Sequence, residues 1–142
     1  MIFAGNQRLA HAVHNAMHPS AAAQVIAVLN IPYDTPDDVI ATQVADVARE
    51  FERENEIAIV QDVITRARTG RRGALGTADV TEALDRQAVR LLVLPYPFDP
   101  ALADELLAKA VWSSSNVEFV HGEAASMLKE AGGIGAHLYY QV

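Results

Sequence analysis

Short apolar runs alternate with helical periodicities along the chain. Gln24–Leu29 (QVIAVL), Arg90–Pro95 (RLLVLP) and Asn116–Val120 (NVEFV) are β-branched or leucine-rich and of strand length, the composition of buried strands. Ile2–Ala4 opens the chain with a β-like run, and the closing AHLYYQV from Ala136 is a further candidate strand. Between them the pattern predicts helices over Gln7–Met17, Pro36–Thr69, Ala78–Gln87, Pro100–Trp112 and Glu123–Ala131. Strand, helix, strand in that rhythm predicts an α/β fold with parallel pairing.

Helix starts are well marked. Thr35-Pro36-Asp37-Asp38 offers a capping hydroxyl, a proline at the first helical position and acids at the positive dipole end. Asp99-Pro100 repeats the device, and Thr77 with Asp79 makes a third. The segment after Thr35 reaches Gly70 with no proline beyond Pro36 and no glycine. Ile40, Val44, Val47 and Phe51 form one apolar stripe along it; Ile57, Val60, Ile64 and Ala67 form another in a shifted phase. The charged middle, REFERENE, carries Arg49–Glu52 and Glu50–Arg53 at i,i+3 spacing. The pattern predicts a long connecting helix, solvated midway between two packed bodies.

At 142 residues and 51% hydrophobic, the chain is long enough to bury an ordinary core. A net charge of −7 argues against a nucleic-acid module held by its overall field. Cysteine is absent, which removes disulfides and thiolate metal sites and suits a reducing cytoplasm. No apolar run approaches the roughly 18 residues that a membrane span needs. The entry into a strand directly after Met1 is what a piece of a longer protein would show.

Candidate chemistry is sparse. Gly70–Thr77 (GRRGALGT) is glycine-rich, but it follows a helix, has no lysine and lacks the spacing of a phosphate loop, so a flexible helix-to-helix connection is expected. The same stretch completes a cluster of Arg66, Arg68, Arg71 and Arg72, which reads either as RNA-phosphate contact or as a solvated helix end. His11, His14 and His18 fall at i, i+3 and i+7, as a metal site or a surface stripe would. Ser113-Ser114-Ser115-Asn116 has the look of a polar turn, and no catalytic serine–histidine–acid order stands out. In the closing AGGIGAHLYY, Gly132 suits a left-handed helix cap, and Ile134, Leu138 and Tyr140 alternate as on one strand face. From the residues alone, this is a non-catalytic α/β module with no expected cofactor or metal.

Gly73–Pro95 (GALGTADVTEALDRQAVRLLVLP), VEFV at Val117–Val120 and the terminal AGGIGAHLYY resemble the eukaryotic- and archaeal-type class I peptide chain release factors, with Pelota and bacterial relatives. The ending is similar to the family's GGIGxxLRY; Val25–Tyr33 and the long helix are similar more loosely. The resemblance implies an α/β/α sandwich akin to kink-turn-binding ribosomal proteins over residues 71–142. Before it would stand the end of a partial α/β middle domain (1–35) and a long connecting helix (36–70). It also implies a cytoplasmic, non-catalytic role in termination or ribosome rescue, with the ribosome and a translational GTPase or an ABC-type ATPase as partners. Leu138, Tyr139 and Tyr140 match the family's partner-binding ending, although Tyr139 stands where relatives carry arginine. Peptidyl-tRNA hydrolysis in the family depends on a GGQ loop, and no GGQ occurs in this chain. Only Tyr96-Pro97-Phe98 links the Val93–Pro95 strand end to the next helix cap, so the small subdomain inserted there in eukaryotic factors is absent. The alternative the residues carry is an RNA-binding module of kink-turn type that uses the Arg66–Arg72 cluster.

Overall fold

The computed structural model describes residues 1–142, the side chain of Gln7 excepted. The chain forms two compact units, Met1–Glu52 and Arg53–Val142.

In the first unit, β1 (Ile2–Gly5) pairs in parallel with β2 (Ala27–Asn30), with Ile2 opposite Ala27 and Gly5 opposite Asn30. Helix α1 (Gln7–Ala16) connects them and packs on both strands. Asn6 starts it as the N-cap, its side-chain oxygen accepting from Arg8 N–H and Leu9 N–H. The short helix α2 (Pro19–Ala22) follows, where the sequence pattern predicts no helix. His18 supplies its cap, Nδ1 accepting from Ser20 N–H.

Helix α3 (Asp37–Thr69) has 33 residues and, at 1.5 Å per residue, is about 50 Å long. It begins one residue later than expected, and the Pro36 carbonyl accepts from Ile40 N–H. Of the first predicted stripe, Ile40, Val44 and Val47 are half-buried while Phe51 is exposed. Arg49 bonds Asp46 at 2.8 Å, one turn back rather than forward to Glu52. In the second stripe Val60 is fully buried, joined by Val63, which the predicted spacing passed over.

The second unit is built on a four-stranded sheet in the order β3-β6-β4-β5. Its strands are β3 (Gly73–Leu75), β4 (Val89–Pro95), β5 (Asn116–Val120) and β6 (Gly135–Leu138). Pairing of β4 with β5 is parallel, as expected, but β6 runs antiparallel to both β3 and β4. Helices α4 (Thr77–Asp85) and α5 (Pro100–Trp112) bury Val80, Ala83, Leu84, Leu106 and Ala110 against Leu92 and Leu94. On the other face, Val60 and Val63 of α3 and Ala124, Ala125 and Leu128 of α6 (Gly122–Ala131) meet Val93 and Val120. Successive β4 side chains thus enter opposite cores, and the layers are α/β/α.

Two local expectations change. Gly70–Thr77 is not a flexible connection: Gly73–Leu75 forms β3, held by pairing with β6. Thr77 does not cap α4; it is the first helical residue, and the cap position is Gly76, with no side-chain bond. Asp99 does cap α5, accepting from Ala101 N–H.

Candidate functional site

The arginine cluster and the chain's last residues are far apart in sequence and meet around β3 and β6. Helix α3 ends at Thr69, and Gly70 N–H and Arg71 N–H turn back to the carbonyls of Ala67 and Arg66. This paired closure satisfies two orphan carbonyls and is typical of a glycine-ended helix. Arg72 follows with φ 61°, turning the chain into β3. Its carbonyl accepts from Leu138 N–H at 2.9 Å, and its N–H donates to Gln141 Oε1 at 2.6 Å. Gln141 Oε1 also accepts from Gly73 N–H at 3.2 Å. The tail is therefore fastened across the start of β3.

Of the residues named from sequence, Leu138 is buried in the sheet core. Tyr139 is anchored by its backbone N–H to Ala88 O at 2.7 Å, which leaves its ring half exposed. Tyr140 donates its hydroxyl to Arg86 O at 2.6 Å and is likewise half exposed. It lies beyond β6, so the predicted alternation through Tyr140 stops at Leu138. Arg66 is committed: its Nε bonds Asp62 Oδ2 at 2.9 Å. Arg68, Arg71 and Arg72 are exposed, and no carboxylate pairs with them among the described residues.

His137 is the buried titratable residue of this region, and no sequence motif marks it. Strand β6 lies between β3 and β4 with a helical layer on each face, so all four of its residues are buried. Ala136 and Leu138 enter the α4–α5 core; His137 and Gly135 face α3. Arg90 Nη2 donates to His137 Nδ1 at 3.2 Å. A guanidinium can only donate, so Nδ1 accepts and the neutral ring carries its hydrogen on Nε2. Nε2 is 3.1 Å from Asp62 Oδ2 but out of line for a hydrogen bond. Burial lowers the His137 pKa; Asp62 opposes this, while Arg66 and Arg90 add to the lowering.

That direction fixes a pH effect. As pH falls below the ordinary histidine value of 6.5, the unfolded chain takes up the proton before the folded one does. Stability contributed at this site is therefore complete above that pH and declines below it, until the lowered folded pKa is reached. Urea unfolding at pH 7.5 and 5.5 is expected to show a smaller drop for His137→Gln than for the unchanged protein. An equal drop in both would remove His137 as the source.

Elsewhere, polar groups serve structure. Ser113 Oγ donates to Leu84 O at 3.0 Å and Ser115 Oγ to Val89 O at 2.7 Å, as staples of a polar turn with Ser114 at φ 56°. Glu56 takes His121 N–H at 2.9 Å and His121 Nδ1 at 2.9 Å, holding the start of α6 to α3. His14 of α1 and His18, the cap of α2, turn to different partners: His14 Nε2 is 3.4 Å from Ala22 O, and His18 Nδ1 is 2.8 Å from Ser20 Oγ. Among the described residues, no three His, Asp or Glu side chains are grouped to hold a metal ion. No helix among the described residues is long and apolar enough to cross a membrane.

No protein-family model matches the chain, and no curated protein matches it in sequence. Solved structures do. Saccharomyces cerevisiae Dom34, described as a translation termination-like factor in RNA quality control that interacts with Hbs1, matches with TM-score 0.74 and 13% identity over 99% of this chain and 47% of that one. Ribosome-bound archaeal Pelota, solved with ABCE1, gives 0.72 and 22% over 99% and 43%. The C-terminal domain of a Methanosarcina mazei peptide chain release factor gives 0.59 and 18% over 77% of this chain and 98% of that domain. The chain has the Pelota and release-factor C-terminal fold. It spans less than half the length of the Pelota and Dom34 structures.

Proposed function

We propose that this chain is the non-catalytic, partner-binding part of a release-factor-like protein acting in translation termination or ribosome rescue in the cytoplasm. The observation that carries the reading is the likeness over 99% of the chain to an archaeal Pelota seen on the ribosome. In this reading residues 1–35 are the end of a middle domain, 36–70 the connecting helix and 71–142 the binding domain. The contact is made by Leu138, Tyr139 and Tyr140: Leu138 roots the tail in the core, and the two tyrosines present half-exposed rings. Exposed aromatic rings on a rigid base are common anchors in protein interfaces, because little side-chain entropy is lost on binding. The arginine that relatives carry at position 139 is replaced, so the partner engages an aromatic face rather than a bidentate donor. A translational GTPase or an ABC-type ATPase is the partner class. This chain carries no GGQ and supplies no hydrolytic step.

Co-sedimentation of the 142-residue chain with ribosomes is expected, as is recovery of a translational GTPase or ABC-type ATPase in a pull-down. Tyr139→Ala is expected to reduce capture of that partner. Absence of both ribosome binding and GTPase or ATPase capture would overturn the reading.

A further inference from the structure

The chain carries a net charge of −7, yet residues 63–78, 86–98 and 131–142, like 1–33 and 106–117, contain no Asp or Glu; the first three concern the tail. Those three stretches supply β3, β4 and β6, three adjacent strands of one sheet. All the Lys and Arg within them are arginines: Arg66, Arg68, Arg71, Arg72, Arg86 and Arg90. Folding therefore gathers six arginines around these strands, while Asp79 and Glu82 of α4 line a hollow with Gly73, Leu138 and Gln141 on one side of them. Two of the six are neutralised from outside the stretches, Arg66 by Asp62 and Arg86 by Glu82 at 2.7 Å. Arg90 is turned to His137. Arg68, Arg71 and Arg72 remain exposed and without a carboxylate partner among the described residues.

The tail beside them adds two rings. Tyr139 and Tyr140 are each 51% exposed and fixed by different bonds, the first through its backbone and the second through its hydroxyl. Gln141 ties this tail to the backbone N–H groups of Arg72 and Gly73, so the rings and the arginine loop are held together. Guanidinium groups bond phosphates bidentately, and a fixed, exposed ring offers a π-face to an unpaired base. Single-stranded RNA presents phosphates and unpaired bases together, so it engages the arginines and the rings at once.

We propose that this surface binds single-stranded RNA, with Arg71 and Arg72 on phosphates and Tyr139 stacked on a base; Arg68 lies apart from it, in the groove between α3 and α6 beside Glu130. The proposal rests on the reading of the chain as ribosome-associated, and it names RNA as a ligand of the same tail. Tyr140 supports the stack and is held in place by Arg86.

The test is fluorescence anisotropy with the 142-residue chain and a labelled oligoadenylate of about ten nucleotides, titrated between about 50 and 200 mM salt. Changing Arg71 and Arg72 together to Gln is expected to flatten the salt slope by about 1.4, at about 0.7 per phosphate lost. Tyr139→Ala is expected to weaken binding roughly tenfold, and Tyr139→Phe to restore it, since stacking needs the ring and not the hydroxyl. Unchanged far-UV circular dichroism melts confirm that the exposed substitutions leave the fold intact. Binding that ignores the arginine changes, or no binding at the lowest salt, overturns the proposal. An oligoglutamate of equal length that competes as strongly as the RNA also overturns it, by assigning the surface to an acidic protein. Ribosome co-sedimentation scored on the same variants separates the outcomes: if it persists while oligonucleotide binding is absent, only the RNA proposal falls.

Discussion

Replacing Leu128 by alanine is expected to destabilise the Arg53–Val142 unit by about 3 kcal/mol, within the 2–5 kcal/mol typical of a buried leucine truncation. Leu128 is fully buried, and its side chain joins three elements: Val60 and Val63 of α3, Val93 and Val120 of the sheet, and its own helix through Ala124 and Ala125. A cavity there has walls from a helix pair and a sheet, none of which can close in without disturbing the others. Its carbonyl also accepts from Gly132 N–H and Gly133 N–H, so the residue fixes the turn from α6 into β6. For a unit of this size, total stability is on the order of 5–10 kcal/mol, and the loss is a large share of it. Urea unfolding followed by far-UV circular dichroism is the appropriate readout, because Trp112 is 81% exposed and reports poorly on the core. Val111→Ala, at an exposed site on α5, is expected to stay within about 0.5 kcal/mol in the same assay. A Leu128→Ala loss under 1 kcal/mol would mean that α6 is not seated on the sheet as described.

The elements of the fold with strong local signals were legible in the sequence. Asn116–Val120 and Pro100–Trp112 match the predicted ranges, and Asp99 caps as its position before proline implied. What was not legible depends on long-range pairing. Strand β3 has three residues, two of them glycine and alanine, and no local β preference; it is a strand because β6 pairs with it. The antiparallel course of β6 is equally invisible, since the α/β rhythm favours parallel neighbours and only the sheet order reveals the reversal. Alternation holds along β6, with Ile134, Ala136 and Leu138 in one core, but it shows no polar side and stops before Tyr140. A strand covered on both faces has no polar side, so Gly135–Leu138 is buried throughout.

The candidate site was legible as two separate pieces. The arginines stood out as a cluster, and the tail stood out by resemblance, but nothing in sequence placed Arg72 against Leu138 and Gln141. His137 gave no signal, because a single histidine between alanine and leucine has no motif. Its neutral state follows only from the Arg90 donor and its place in the middle of a covered sheet. Arg66 shows the opposite case: conspicuous in sequence, it is paired with Asp62 one turn earlier, and the i,i+4 spacing could have flagged this.

Gly73→Ala is expected to cost about 2–3 kcal/mol and to loosen the whole tail-and-loop assembly, whereas Gly135→Ala is expected to cost about 1 kcal/mol. Both glycines allow α3 to approach the sheet, but they face different kinds of neighbour. A Cβ on Gly73 would sit 2.5 Å from Ala67 N and 2.7 Å from Arg66 C, which are backbone atoms of α3. A Cβ on Gly135 would meet Val63 Cγ1 at 2.6 Å and then Leu75 and Leu128 methyl groups beyond 3.2 Å, all ends of side chains. The leucine methyls can turn aside and the stiff, buried Val63 side chain must shift as a unit, whereas at Gly73 the backbone of α3 itself would have to move. With alanine at position 73, β3 must withdraw from α3. Withdrawal breaks the Gly73–His137 register and pulls Arg72 from Leu138 N–H and Gln141. Faster exchange of the Leu138 amide hydrogen in Gly73→Ala than in Gly135→Ala is the local signature, and urea midpoints give the ranking. RNA affinity is expected to fall in Gly73→Ala although every arginine and tyrosine of the surface remains, because the loop is no longer held beside the tail. Equal costs for the two substitutions, with Leu138 exchange unchanged, would show that α3 does not press on β3 at this point.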